Sequence, residues 1–393
     1  MRVYFDHNAT APVLVEVADF VRDVFLNYFG NPHSIHEFGH RAHKLVEDAR
    51  ERLAKLIGAS EPSEIIFTSG GTEADNMALI GGAKWMRKKK NRDEIVTSSI
   101  EHPAVLATCR FLETEGFKVK YIKPERNGIV SVESFRKAVT ERTAVVSLML
   151  ANNETGMVQP VAAIAEIAKE SGALSHTDAV QAVGKIPVSV SDLGVDLLSL
   201  SGHKFGAPKG VGALYIRKGV KIEPLLFGGG QERGMRPSTL NVPGIAGMGL
   251  AAEIIGRNLN ENIEKLKKLR NRLEESLQKR LERTYINGAK EPRLPNTSNM
   301  SFEFIEGEAL LLDLDREGIA VSTASACASA KLEPSYVLIE MGLPAQIARS
   351  SIRFSLGWEN TEEEVDYVVE KTVESVNRLR KLSPLYQDFV GGG

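Results

Sequence analysis

Lys204 lies in SGHKFGAPKG (201–210), directly after the apolar run VDLLSL, with Ser201 and His203 beside it. An amine held where a buried strand ends is partly desolvated, which lowers a lysine pKa and suits it to Schiff-base chemistry with an aldehyde. Lys209, farther along the same loop, reads as an ordinary solvated lysine. Asp178, in HTDAVQAVG (176–184), reads alone as the cap of a following helix. Beside a Schiff-base lysine it also fits the carboxylate that pairs with a protonated pyridine nitrogen, keeping such a ring able to accept electrons from a substrate carbon. Gln181, one helical turn on, is then placed to donate to a ring hydroxyl.

TSGGTEADN (68–76) puts two glycines and a threonine between a strand and a helix. It is either an ordinary strand-to-helix turn or an anion site, in which free N–H groups at Gly71 and Thr72 hold a phosphate and Ser201 and His203 complete the cup. His102, in SSIEHPAV, is a capping or core histidine, or a ring stacked on a cofactor. Cys327 sits in VSTASACASAKLEP (321–334), among serine, alanine and threonine with no apolar cover. It is an incidental free thiol or a reacting one, because an unburied cysteine is a liability that needs a reason. Cys109, in the helix-periodic LATCRFLE, reads as a small core residue. The two cysteines form no CxxC and no metal-ligand spacing, so neither a disulfide framework nor a metal site is expected.

Elements that would position these groups alternate between about 60 and 217: EIIFTS, EIVTSS and AVVSLML each lead through a turn into a helix-period segment. Such alternation predicts an α/β fold with a mainly parallel sheet flanked by helices, whose ligands sit at the carboxyl ends of the strands. A long charged helical run, about 246–284, then leads to strand-like TSNMSFEF, helical GEALLLDLDREG, the cysteine segment, strand-like SIRFSLG and a last helix from TEEEVDYVV. This predicts a large domain over 16–255 and a smaller α+β domain made of 1–15 and 256–393, carrying the cysteine loop of about 321–334.

Forty-nine Lys plus Arg against fifty-one Asp plus Glu leave a net charge of −2, too balanced to predict direct capture of nucleic acid or an anionic membrane. RKKKNR (87–92) follows an amphipathic stretch and reads as the solvated end of a helix. No apolar run spans a bilayer and MRVYFDHNATAP lacks the layout of a signal peptide, which predicts a cytoplasmic protein.

Ten segments in order, among them YFDHNATAPV, FGNPHSIHEFG, TSGGTEADN, NNETGMVQP, HTDAVQAVGK, SGHKFGAPKGVGAL, GGGQERGMRPSTLN and SACASAKLEPSYVL, resemble the cysteine desulfurase family, NifS/IscS-like enzymes of the class V aminotransferase type. The resemblance implies the fold type I architecture of pyridoxal 5'-phosphate transferases and a homodimer. It implies that Lys204 carries the cofactor, Asp178 pairs with its pyridine nitrogen, Gln181 donates to its ring oxygen, and His102 stacks on it and moves protons. Gly71, Thr72, Ser201 and His203 would hold the phosphate, with Thr239 reaching in from the other subunit. Asn153, also beside the cofactor, and Arg353 would bind the carboxylate of the substrate, L-cysteine. Arg353 has a separate argument: a cation in an apolar strand needs a partner. Cys327 would take the sulfur as a persulfide, releasing L-alanine, and pass it to an iron–sulfur scaffold or another acceptor serving tRNA or cofactor thiolation. Departures are small: Ala11 stands for a frequent threonine, Ala324 where glycine is common, and Pro237 and Asn241 alter the STL segment. Rival readings are a selenocysteine lyase or another class V enzyme on the same scaffold, and an accessory protein that kept the fold without catalysis.

Overall fold

The computed structural model describes residues 1–323 and 333–391. Cys327 and Ala324 lie outside the described residues. A short strand, β1 (Val3–Tyr4), opens the chain, and seven strands then build the main sheet: β2 (Ile65–Thr68), β3 (Glu94–Ser98), β4 (Lys118–Ile122), β5 (Thr143–Ser147), β6 (Leu174–Asp178), β7 (Leu197–Ser201) and β8 (Gly212–Ile216). Their order is β2-β8-β7-β6-β5-β3-β4. Strands β3 to β7 pair in parallel, and β8 runs antiparallel to both its neighbours. The parallel strands are joined through helices such as Pro103–Thr114 and Val161–Ser171. Between β7 and β8 there is only a one-turn helix, Gly202–Lys204, and a loop, too little chain for a parallel crossover, so β8 returns antiparallel.

Strands β2, β3, β5 and β7 are buried along their whole length, as expected of a sheet covered on both faces. The helix after β2 runs Gly71–Asn76, continues through a π-helical turn Met77–Gly81 and ends as Gly82–Lys90. Arg87, Lys88, Lys89 and Lys90 form its last turn and Asn91 closes it in the left-handed region (φ 56°), so RKKKNR is the solvated helix end expected of it. No described helix is long and apolar enough to cross a membrane.

A three-stranded antiparallel sheet in the order β12-β10-β9 uses β9 (Thr284–Ile286), β10 (Thr297–Phe302) and β12 (Ser351–Ser355). β11 (Ile319–Ala320) pairs in parallel with β1. Two large apolar cores result. One gathers residues from Val17 to Ile255 together with Leu294, and the other joins Val3 and Phe5 to residues from Leu266 to Val376.

The helix Val242–Arg280 feeds both cores, contributing Val242 to Ile255 to the first and Leu266 to Leu277 to the second. It begins earlier than the charge pattern suggests, because Asn241 accepts from the Gly244 amide at 3.2 Å as its N-cap and Pro243 sits in its first turn, and it ends at Arg280 where Leu281 turns extended. Asn241 is one of the positions where the sequence departs from the common pattern, and capping is its use here. Where this helix crosses Glu37–Leu56, Gly249 permits contact: a Cβ there would lie 2.5 Å from the Ala49 Cα. The last helix, Glu362–Leu382, starts at a reciprocal cap in which Thr361 and Glu364 bond each other's backbone amides.

The segment between β8 and the long helix is fixed by one buried ion pair. Glu232, at φ 47°, receives the Arg50 guanidinium at 2.7 and 2.9 Å and the Phe67 amide at 2.7 Å. Removing one partner strands the other charge without water. Glu232→Ala is expected to lower stability by about 3–5 kcal/mol, read as a shifted urea midpoint, and a second change, Arg50→Met, to restore part of the loss.

Candidate active site

The carboxyl ends of β6 and β7 bring Asp178, Ser201 and Lys204 to one edge of the sheet. Lys204 Nζ donates to the carbonyl oxygens of Asn8 at 2.5 Å and Ala9 at 2.8 Å. Gln181 Nε2 donates to the same Asn8 oxygen at 2.9 Å. Asn8 Nδ2 in turn reaches the Asn153 carbonyl at 3.2 Å and Thr297 Oγ1 at 2.9 Å. Lys185 Nζ, fully buried, donates to Gln181 Oε1 at 2.6 Å and to Asn8 Oδ1 at 2.9 Å. Sequence reading named neither Asn8 nor Lys185, although both lie in distinctive segments. A lysine after a turn carries no local sign of burial.

Asp178 closes β6, and its Oδ1 accepts the Val180 amide at 2.8 Å. The helix that it was expected to cap does not form. Residues 180–185 are turns apart from an isolated bridge between Val183 and Ile186, with Gly184 at φ 82° against Phe205. Gln181 therefore reaches the site from a turn.

Ligand-type atoms of Asp75, His102 and Asp178 all lie within 4.8 Å of one another. Burial pushes the Asp178 carboxyl up, against the pull of His102 and Lys204, and holds Asp75 well above the usual range with repulsion from Asp178 added. Asp75 Oδ1 makes no hydrogen bond, with His176 Nε2 3.6 Å away. The donor types suit a small metal ion or the cationic nitrogen of a ring.

His102 caps Pro103–Thr114, its Nδ1 accepting the Ala104 amide at 3.1 Å. That bond leaves the ring proton on Nε2, and burial lowers the pKa further. Capping thus sets the tautomer without removing the ring from the Asp178 cluster. Glu101, pushed up to about 8 by burial, accepts Ser98 Oγ and the Met149 amide.

Gly71 starts its helix directly against Ser201: a Cβ at Gly71 would stand 2.6 Å from Val180 Cγ2 and 3.6 Å from Ser201 Cβ. Thr72 is exposed in the first turn. His203 contacts Thr10 Oγ1 through Nδ1 at 3.1 Å, and burial with the nearby Lys204 charge pushes it down to about 4. Thr239 is exposed on the segment between β8 and the long helix, and Lys209 is exposed as expected.

Arg353, on β12, places Nη2 2.7 Å from Asp6 Oδ1 and donates Nη1 to the Asn153 carbonyl at 3.1 Å. Asp6 is the partner that the buried-cation argument required without naming. Arg353 Nε and Asn153 Oδ1 are buried without hydrogen-bond partners. Ser322 and Arg353 exchange both backbone hydrogen bonds, at 3.2 and 2.7 Å, so the chain leading toward Cys327 departs from the arginine itself. On the far side Ser335 donates to Glu154, which burial pushes up to about 7. Cys109 is fully buried, with its thiol pushed up to about 12, and belongs to the core as expected.

The family model for aminotransferase class V matches residues 3–368. Cysteine desulfurase IscS of Clostridium botulinum is 50% identical over 99% of this chain and 98% of its own length. The chain belongs to the cysteine desulfurase family of class V aminotransferases. Cysteine desulfurase IscS of Methanosarcina thermophila is 51% identical over 98% of this chain and 94% of its own length. Among solved structures, a NifS-like protein superposes with a TM-score of 0.90 at 44% identity, covering 96% of this chain and 100% of that one. A structure of SspA in complex with cysteine gives 0.80 at 34% identity, covering 90% and 98%.

The residues present fit the cofactor of such enzymes. The close approach of Val180 and Ser201 leaves room only for a glycine at 71, so no side chain covers the amides that start its helix, Asp75 and Asp178 are buried carboxylates beside His102, and Arg353 Nε and Asn153 Oδ1 are buried without hydrogen-bond partners.

His176, behind this cluster, bonds Ser147 Oγ at 2.8 Å and Ser199 Oγ at 3.0 Å, and burial pushes it down to about 3. Unfolding frees it to take a proton, so its contribution to stability is complete above pH 6.5 and falls as pH drops toward 3. His176→Gln is expected to flatten the pH dependence of the urea midpoint in that window by about one proton's worth, while wild type loses stability on acidification.

Proposed function

We propose that the chain is a cysteine desulfurase that uses pyridoxal 5'-phosphate to take sulfur from L-cysteine and release L-alanine. The observation that carries this reading is the meeting of Lys204, Gln181 and Asn153 on Asn8, with Arg353 bonded to the same Asn153 carbonyl. It supports reading these residues as an amine, a ring-oxygen donor and a carboxylate site that work together with Asp178 and His102.

In this reading Gly71, Thr72, Ser201 and His203 hold the phosphate, and Thr239 joins them from a second copy. Asp178 pairs with the pyridine nitrogen, Gln181 donates to the ring oxygen, and His102 covers the ring. When bound, the cofactor supplies an electron-accepting ring conjugated to the substrate α-carbon. Lys204 is the residue that would hold the cofactor, and its amine would move the proton at the substrate α-carbon. Asn153 and Arg353 hold the substrate carboxylate, the guanidinium by a charge-assisted bond.

The Cys327 thiolate attacks the substrate sulfur. A sulfur–sulfur bond forms as the carbon–sulfur bond breaks, and the electron pair left on the substrate is protonated on the way to alanine. The persulfide then passes to an acceptor protein, an iron–sulfur scaffold or a thiolation partner. A cytoplasmic setting and the division into 16–255 against 1–15 with 256–393 belong to the same reading, and the two apolar cores support the division.

A homodimer is part of it too. Phe25, Leu26, Phe29, Ile35 and Phe38 are all exposed within a short stretch, with Phe29 stacked on Phe38 at 5.4 Å, an apolar display that suits burial against a second copy. Sedimentation is expected to give a dimer, and Phe29→Asp with Ile35→Asp to shift it toward monomer.

The deciding assay supplies L-cysteine and a thiol reductant and measures alanine and sulfide. Lys204→Ala and Cys327→Ala are each expected to lose at least about 100-fold in turnover, with the Cys327 variant still coloured and persulfide mass on Cys327 in wild type alone. Full turnover by Cys327→Ala would indicate an aminotransferase, selenide release with little sulfide a selenocysteine lyase, and a protein left colourless by the cofactor an accessory scaffold.

A further inference from the structure

Lys185 has no part in the chemistry described so far, yet it is fully buried beside the groups that do. Its two bonds, 2.6 Å to Gln181 Oε1 and 2.9 Å to Asn8 Oδ1, are to neutral side chains. A cation so enclosed is costly, and Lys204 and Arg353 raise that cost by repulsion after burial itself.

The orientation of both amides follows from partners that can only accept. Gln181 Nε2 faces the Asn8 carbonyl, and Asn8 Nδ2 faces the Asn153 carbonyl, so each turns its oxygen toward Lys185. Burial pushes Lys185 toward the neutral amine, which still brings two N–H groups to its two oxygen partners, and making both of these bonds favours this arrangement of both side chains over the flipped one. The Gln181 NH₂ carries two hydrogens, of which the Asn8 carbonyl takes one.

We infer that Lys185 is a positioning residue that locks the Gln181 amide with its NH₂ toward the cofactor's ring oxygen. The inference rests on the cofactor reading above and adds the group that enforces it. Without Lys185 only the Asn8 carbonyl holds the Gln181 amide in this orientation, and a flip would turn its oxygen toward the ring, where two acceptors would face each other.

The test uses the cofactor-loaded protein and reads the visible band of the bound cofactor against pH, with thermal unfolding as a control for folding. Gln181→Met and Lys185→Met are each expected to move the midpoint of the colour change in the same direction, by about one pH unit. The double variant is expected to add nothing to either single change. An unmoved midpoint in Lys185→Met while Gln181→Met shifts, or shifts that add in the double variant, would overturn the role of Lys185 and leave the cofactor reading intact. An unmoved midpoint in Gln181→Met would overturn the ring-oxygen contact itself and the inference with it. If Lys185→Met does not fold, Lys185→Gln carries the same comparison, since its amide no longer restricts that position to a donor.

Discussion

The carbonyl oxygen of Asn8 receives the amine of Lys204 and the amide of Gln181, and the Asn8 side chain ties Lys185, Asn153, Thr297 and Asn296 together. These partners come from the end of the main sheet, from the loop after β5 and from β10 and the residue before it. One buried asparagine therefore fixes how the two cores meet. It does so because every polar atom carried into that interface needs a partner once water is gone. Phe5, in the second core, and His7, which approaches the Ser355 carbonyl at 3.2 Å, hold the segment in place from the other side.

Around that junction, burial acts in opposite senses on acids and bases. Asp75, Asp178, Glu101 and Glu154 are pushed toward the neutral form, and so, from the other direction, are His102, His176, His203 and Lys185. Much of the charge in the cleft is held in check by desolvation. A bound zwitterion or a cationic ring would supply the missing counter-charges, which is how an enzyme stores affinity in a site that is costly when empty.

Much of the fold could be read along the chain. Alternating apolar runs and helix-period segments gave the main sheet, and TEEEVDYVV gave the last helix, whose reciprocal cap of Thr361 and Glu364 the structure adds. The antiparallel return of β8 and the turns after Asp178 were harder. Both depend on how much chain lies between two strands and on what Gly184 packs against, and neither leaves a periodic signature. Cys327 stands outside the described residues.

By itself the sequence determined the reactive groups and their local settings. Lys204 after a buried strand, Asp178 at the end of another, glycines at 70 and 71 and a cation within an apolar strand are all short-range facts. Tertiary structure decided which polar atoms meet. Gln181 and Asn8 are 173 residues apart, Lys185 and Asn8 177, and Arg353 and Asp6 347. A hydrogen bond at that separation has no local pattern, because it depends on where two distant backbones come to rest and on the exclusion of water between them.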